Sequence, residues 1–112
     1  SEILINEDST QGDYYSLRGM AYFQRAKLLD DSKEIIQKSK QDLIRATKSK
    51  NINIDYIAKV FITLSDIYLL NNDLQNADAS IRKALRAKRK ITGGLDRMRN
   101  INKIKLTSME NL

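Results

Sequence analysis

The apolar residues of this chain recur at helical spacing over most of its length, and no proline interrupts them. From residue 13 onward they fall three and four positions apart, which is the period of an amphipathic α-helix. Only four of the 112 residues are glycine and none is proline. The chain therefore lacks the turn residues that a many-stranded sheet protein needs. The pattern predicts an all-α fold in one domain.

The periodic segments predict five helices joined by short polar turns. Asp13, Asp31, Asp55 and Asp73 each stand before an apolar run, where a carboxylate caps a helix N-terminus. Asp31 with Glu34 has the spacing of a capping box. The two glycines at 93–94 are expected to end the fourth helix. The predicted units are a weakly ordered lead-in over 1–12, helix pairs over 13–49 and 55–91, and a shorter fifth helix over 95–109.

The composition excludes most catalytic chemistry. Histidine and cysteine are absent, so the chain has no imidazole base, no thiolate nucleophile and no zinc-binding cysteine cluster. No Gly-rich phosphate loop and no metal-ligand spacing occurs. No pair of carboxylates is placed for acid–base catalysis. We therefore expect a protein that is not an enzyme and that binds neither a metal nor a cofactor.

The two helix pairs can be aligned with each other. The first helices align with an offset of 46 residues and the second helices with an offset of 38. We assign the difference of eight to a lengthening of both helices around the first turn, at Asp30 and Asp31. The aligned positions are Tyr15, Gly19, Ala21, Tyr22, Leu43 and Ala46 in the first pair and Phe61, Ser65, Ile67, Tyr68, Ile81 and Ala84 in the second.

This spacing of aromatic and small residues resembles the tetratricopeptide repeat. The resemblance covers about residues 13–91, although the proline that usually closes each repeat is missing. It implies two antiparallel hairpins stacked as a short right-handed superhelical array, with the fifth helix as a cap. In such an array Tyr22 and Tyr68 are equivalent wedges between helices. The alternative is a five-helix bundle whose small residues happen to coincide with the pattern.

In a tetratricopeptide array the first helix of each pair lines a concave groove, and the resemblance places a partner-binding groove here. An apolar strip flanked by charges suits a partner's amphipathic helix or extended peptide. The alternative is that this strip is core, filled by the fifth helix or by residues 2–5. The groove positions are Asp13, Ser16, Met20, Phe23, Lys59, Ile62, Asp66 and Leu69.

The charge is concentrated at the end of the chain. Residues 1–81 carry 10 basic and 12 acidic residues, whereas residues 82–112 carry 10 basic and 2 acidic. A basic face can bind nucleic acid or anionic membrane through phosphates. A solvated face without a function explains the same run, and no aromatic residue follows Tyr68 to stack on bases. The predicted basic patch is Arg82, Lys83, Arg86, Arg89, Lys90, Arg97 and Arg99.

The sequence thus favours a non-catalytic protein–protein interaction module, a scaffold or adaptor. The expected partner is another protein, bound through a peptide or an amphipathic helix. Electrostatic binding of nucleic acid or membrane, and self-association through exposed repeat ends, are the alternatives. The chain contains no apolar run of membrane-spanning length. We expect a cytoplasmic protein unless a leader or anchor precedes Ser1.

Overall fold

The computed structural model of the protein describes residues 10–110, which form α-helices and no β-strand. The predicted all-α class is confirmed. The predicted lead-in lies outside the described residues up to residue 9, and residues 10–12 are helical, contrary to the prediction. The helices are α1 (Thr10–Leu28), α2 (Lys33–Thr47), α3 (Ile54–Leu70), α4 (Leu74–Ala87) and α5 (Gly94–Glu110).

Short turns of acidic and amide residues reverse the chain within each helix pair. Asp30, Asp31 and Asn72 adopt positive φ angles of 56°, 57° and 59°. Aspartate and asparagine tolerate this left-handed conformation better than other side chains with a β-carbon. The turns predicted at Asp30–Asp31 and around Asn72 are therefore confirmed. Because both turns are short, α1–α2 and α3–α4 are antiparallel hairpins.

Side chains just before the helices accept hydrogen bonds from the first turns. Asp73 caps α4, as predicted, by accepting from the backbone N–H of Asn76 at 3.1 Å. The caps predicted for the two helices before it are wrong by one or two residues. Ser32 caps α2 and Asn53 caps α3. Both are better placed than the predicted aspartates, since they stand directly before the first helical residue.

The first helix begins three residues earlier than its predicted cap, Asp13. Gly12 is buried, and a β-carbon there would lie 2.6 Å from the Ser49 β-carbon and 3.2 Å from that of Ile52. The close approach of the α2–α3 loop thus holds this turn of α1. Asp13 accepts a hydrogen bond from the backbone N–H of Asn53 at 3.1 Å. It therefore joins α1 to the start of α3 instead of capping α1.

The fourth helix ends before the predicted glycine pair. Its last residue is Ala87, and Lys88 is extended. Lys88 forms an ion pair with Asp55 on α3, with Nζ and Oδ1 2.7 Å apart. Gly93 has a φ of +80° and precedes α5, of which Gly94 is the first residue. The glycines therefore begin α5, which has 17 residues and is not the shorter helix that we predicted.

The helices pack largely in chain order, with α3 against both α1 and α2, and α5 against α4. The molecule is elongated and measures 56 × 31 × 22 Å. Two core clusters result. The first cluster joins the two hairpins and consists of Phe23, Ala26, Ile36, Leu43, Ala46, Val60, Leu64 and Ile67. The second joins α3, α4 and α5 and consists of Ile62, Ala77, Ile81, Ala84 and Ile101.

A buried serine hydroxyl joins the two helices within each hairpin. Ser39 on α2 donates to the carbonyl oxygen of Gly19 on α1 at 2.6 Å. Ser65 on α3 donates to the carbonyl oxygen of Ala77 on α4 at 3.0 Å. Gly19 aligns with Ser65 and Ser39 with Ala77, so the same pair of positions is joined in both hairpins. Small side chains at these positions let the helix axes approach closely.

The first hairpin is longer than the second because both of its helices extend around the turn. α1 continues to Leu28, six residues beyond Tyr22, whereas α3 ends at Leu70, two residues beyond Tyr68. α2 also begins three residues further from its aligned alanine than α4 does, and its turn is one residue longer. The predicted origin of the eight extra residues is therefore confirmed.

Because Asp73 is a titrating cap, part of the stability of α4 is lost at acid pH. The side chain of Asn76, followed by its backbone N–H, holds the pKa of Asp73 below its ordinary value of 3.8. The stabilisation is therefore present above that value and lost as the pH falls through the lowered pKa. We expect Asp73→Ala, which removes the capping oxygen, to lower the melting temperature at pH 7. The difference from the wild type should shrink as the pH falls from about 5 to about 2.

Thermal unfolding followed by circular dichroism across this pH series measures the effect. Asp73→Ser is the matched variant, since serine keeps a capping oxygen that does not titrate in this range. It should lie closer to the wild type at pH 7. A difference between the wild type and Asp73→Ala that stays constant down to pH 2 would contradict the cap's role.

Candidate functional site

The predicted groove residues of α1 divide between the core and the surface. Ser16 and Phe23 are buried, and Met20 is half-buried against the first core cluster. The Ser16 hydroxyl donates to the carbonyl oxygen of Gly12 within α1 at 2.8 Å. Burial removes Ser16 and Phe23 from the accessible surface, so of these three only Met20 is presented to a partner.

The groove residues of α3 are partly covered by α5. Ile62 is buried in the second core cluster together with Ile101 of α5. Both carboxylate oxygens of Asp66 accept hydrogen bonds from Arg97 of α5, at 2.8 and 2.9 Å. This paired carboxylate raises the pKa of the Arg97 guanidinium. α5 thus covers α4, as expected of a cap, and also holds the adjacent part of the predicted groove.

Apart from Asp66, which binds Arg97 of α5, four members of the predicted groove remain at least partly exposed. Lys59 is exposed, and Met20, Leu69 and Asp13 are half-buried. Met20 and Leu69 each pack against a core cluster with part of their surface. The structure therefore leaves fewer of the groove residues accessible than the sequence predicted, two of them apolar and two of opposite charge.

A small cavity lies where Lys59 meets the loop between α4 and α5. It has a volume of about 180 Å³, with Ile62 and Ile91 as its apolar part. Lys59, Lys88 and Lys90 contribute ammonium groups and Asp55 a carboxylate. Because this volume is below that of ordinary small-molecule pockets, it suits a single side chain better than a free ligand.

The charges in this cavity are not all free to bind a partner. Lys88 is held by Asp55, and its hydrogen bond keeps the pKa of the Asp55 carboxyl below the ordinary value. This leaves Lys59 and Lys90 facing the cavity, both exposed. An acidic side chain that enters the cavity would lie near these two ammonium groups and would contact the apolar side chains of Ile62 and Ile91.

The residues of the predicted basic patch are mostly exposed, and three of them form ion pairs. Arg97 binds Asp66, Arg82 binds Asp78 at 3.1 Å, and Arg99 lies 3.3 Å from Asp96. The ammonium group of Lys83 lies 5.6 Å from the centre of the Phe61 ring. Arg86, Arg89 and Lys90 are exposed, the last two in the loop between α4 and α5. Among the described residues, Arg97 is thus the one member of the predicted patch that is half-buried, and the other six are exposed.

Sequence reasoning missed an ion pair within the first hairpin, between a partly exposed arginine and a buried carboxylate. Arg18 on α1 donates through Nε and Nη2 to both oxygens of Asp42 on α2, at 2.7 and 2.9 Å. The Asp42 side chain is 5% exposed, and this partner raises the pKa of Arg18. The guanidinium also lies within 6 Å of the ring centres of three tyrosines, Tyr14, Tyr15 and Tyr22.

The two predicted wedges, Tyr22 and Tyr68, have different surroundings. Tyr68 packs against both core clusters, and the ammonium group of Lys40 lies 5.0 Å from its ring centre. Tyr22 is half-buried and belongs to neither cluster. The prediction of equivalent wedges is therefore wrong for Tyr22. The reason is that, within residues 10–110, a hairpin precedes α3 and none precedes α1.

The described residues contain no group of three or more acidic side chains arranged to hold a metal ion. None of the helices within residues 10–110 combines the length and the apolar character needed to cross a membrane. Compared with protein-family models, curated proteins and solved structures, the chain gives no match.

Proposed function

We propose that the chain is a non-catalytic protein-interaction module built from two tetratricopeptide-like hairpins and a C-terminal capping helix. The observation that carries this proposal is that a serine hydroxyl and a backbone carbonyl join the same aligned positions in both hairpins, with the donor on α2 in the first and on α3 in the second. A repeated hairpin is the unit of helical arrays, which present extended surfaces to other proteins. The order of the helix contacts, with α3 against α1 and α2, supports a stack over a closed bundle.

The partner segment binds, on this proposal, along the accessible part of the α1 and α3 surface. Met20 and Leu69 supply apolar contacts, and the cavity beside Lys59 receives an acidic side chain. Burying an apolar side chain contributes roughly 1.5–3 kcal/mol. Because association itself costs several kcal/mol, two half-buried side chains alone give weak binding, and the charge contact at the cavity must add to it.

Selection from a displayed library of random peptides, followed by titration calorimetry, tests this function. We expect peptides with an acidic residue beside an apolar one. Lys59→Glu should weaken their binding about tenfold or more, because it reverses a charge at the cavity. Lys38→Glu is the matched control, since Lys38 is exposed on α2, and it should leave binding unchanged.

Two outcomes would contradict the proposal. One is that no selected peptide binds the purified chain in solution. The other is that Lys59→Glu and Lys38→Glu weaken binding equally, which indicates attraction to the net positive charge alone. Equal melting temperatures of the two variants and the wild type exclude an effect on folding.

A further inference from the structure

The outer face of α1 carries an exposed apolar strip that runs for 15 residues. Tyr14, Leu17 and Leu28 are 53%, 51% and 85% exposed, and Ala21 is also exposed. Their spacing of three, four and seven residues places them on one side of the helix. These four residues are called the outer strip below. It lies opposite the buried side of α1, which faces α2 and α3.

The internal alignment shows that the equivalent face of α3 is largely buried. With the offset of 46 residues, Leu17 corresponds to the half-buried Thr63, whereas Tyr14, the adjacent Arg18 and Ala21 correspond to three other residues of α3, Val60, Leu64 and Ile67. All three α3 residues are buried in the first core cluster, against residues of α1 and α2. α3 is therefore packed between two partners, a preceding hairpin on one side and α4 on the other. Within residues 10–110, α1 has the equivalent of the second partner, α2, and no helix packs on its other face.

The charge of this face selects the kind of partner. Arg18 and Arg25 lie along one edge of the outer strip, and no acidic residue occurs between Tyr14 and Leu28. Arg18 already binds Asp42, whereas Arg25 is exposed. An apolar helix face with a cationic edge is complementary to an amphipathic helix that carries carboxylates beside its apolar side chains.

A second copy of the chain does not supply that chemistry. Two outer strips brought face to face would oppose arginine with arginine. The exposed apolar residues of α5, Leu95 and Leu106, lie on a helix rich in lysine and arginine. Residues 1–9 also carry acidic and apolar side chains, and the experiment below distinguishes them from a separate partner.

We propose that the outer strip of α1 is a second docking surface, which binds an acidic amphipathic helix from another protein. The helix takes the place on α1 that the first hairpin takes on α3. Its apolar side chains pack on Tyr14, Leu17 and Ala21, and its carboxylates pair with Arg25. This surface is separate from the one beside Lys59, so the proposal does not rest on the peptide-binding function.

Two synthetic peptides of about 18 residues test the proposal, since that length gives about five helical turns. Both carry leucine at the spacing of the outer strip, and they differ in having glutamate or lysine at the flanking positions. Fluorescence anisotropy measures their binding to the full chain. We expect the glutamate peptide to bind about tenfold or more tightly than the lysine peptide.

Ala21→Glu places a carboxylate in the outer strip and should weaken binding of the glutamate peptide about tenfold or more. Ala79→Glu is the matched control, because Ala79 is an exposed helical alanine on α4, and it should bind as the wild type does. Lys59→Glu should also bind as the wild type does. Melting temperatures of all variants are compared, so that a loss of fold is not read as a loss of binding.

Four results would overturn the proposal. The first is that the glutamate peptide does not bind, and the second is that Ala21→Glu and Ala79→Glu weaken its binding equally. The third is a concentration-dependent dimer that Ala21→Glu abolishes. The fourth is tighter binding of the glutamate peptide by a variant of the chain in which Ile3, Leu4 and Ile5 are replaced by serine. The third result would assign the outer strip to a second copy, and the fourth to the chain's own first residues.

Discussion

Arg18→Leu is expected to lower the free energy of unfolding by about 3 kcal/mol, because it leaves the Asp42 carboxylate buried without its partner. Both oxygens of Asp42 accept hydrogen bonds from this one guanidinium. The carboxylate side of the pair is nearly inaccessible to water, whereas the arginine side is partly exposed. Removing the arginine is therefore more costly than removing a partner from a surface ion pair.

The second hairpin indicates how to rescue this variant. The positions aligned with Arg18 and Asp42 are Leu64 and Ser80, and both are buried. Adding Asp42→Ser to Arg18→Leu reproduces this neutral pair and should recover most of the lost stability. Replacing a buried ion pair by neutral groups is often close to neutral overall, unlike the loss of one partner.

Urea unfolding of the wild type, the single variant and the double variant measures both effects. Arg82→Leu is the matched control, since it removes an exposed arginine whose partner Asp78 also binds Lys105. It should change stability by about 0.5 kcal/mol or less. A double variant no more stable than Arg18→Leu would show that the buried carboxylate is not the cause.

Ile101→Ala is expected to weaken the docking of α5 by about 3 kcal/mol, because it opens a cavity at a fully buried side chain. Ile101 packs with Ile62, Ile81 and Ala84 in the second core cluster. Its loss should accelerate amide hydrogen exchange in α5 about 100-fold, since exchange there follows the local opening of that helix. Amides of α1 and α2 should change little, because the first core cluster contains no α5 residue.

Leu106→Ala is the control on the same helix, since that side chain is 60% exposed. Hydrogen exchange measured by NMR separates the helices residue by residue. The expectation fails if α1 and α2 exchange faster by the same factor as α5. That result would mean that the two core clusters open together as one cooperative unit.

The helices and their turns could be predicted from the sequence because the signals are local. The apolar period is long and proline is absent, and aspartate or asparagine marks both hairpin turns. The end of α4 could not be predicted in this way. Lys88 leaves the helix to pair with Asp55, 33 residues earlier in the chain, and the glycines after it begin α5.

The candidate site was predicted less well, because burial of a helix face depends on what packs against it. The spacing that places Phe23 and Ile62 in a groove also fits the core, and the structure buries both. The pairing of Asp66 with Arg97 joins residues from different helices and leaves no local signal. For Asp42 a signal existed, since a carboxylate beside Ser39 and Leu43 on the apolar face of α2 requires a buried partner.

The division of the interior has a mechanical consequence. The first core cluster has eight buried members and the second five, and among the described residues Phe61 and Tyr68 are the two that pack against both. Both rings belong to α3. A force that stretches the chain from its two ends would therefore be transmitted between the halves mainly through this helix, and the half that contains α5, with fewer buried contacts, would yield first.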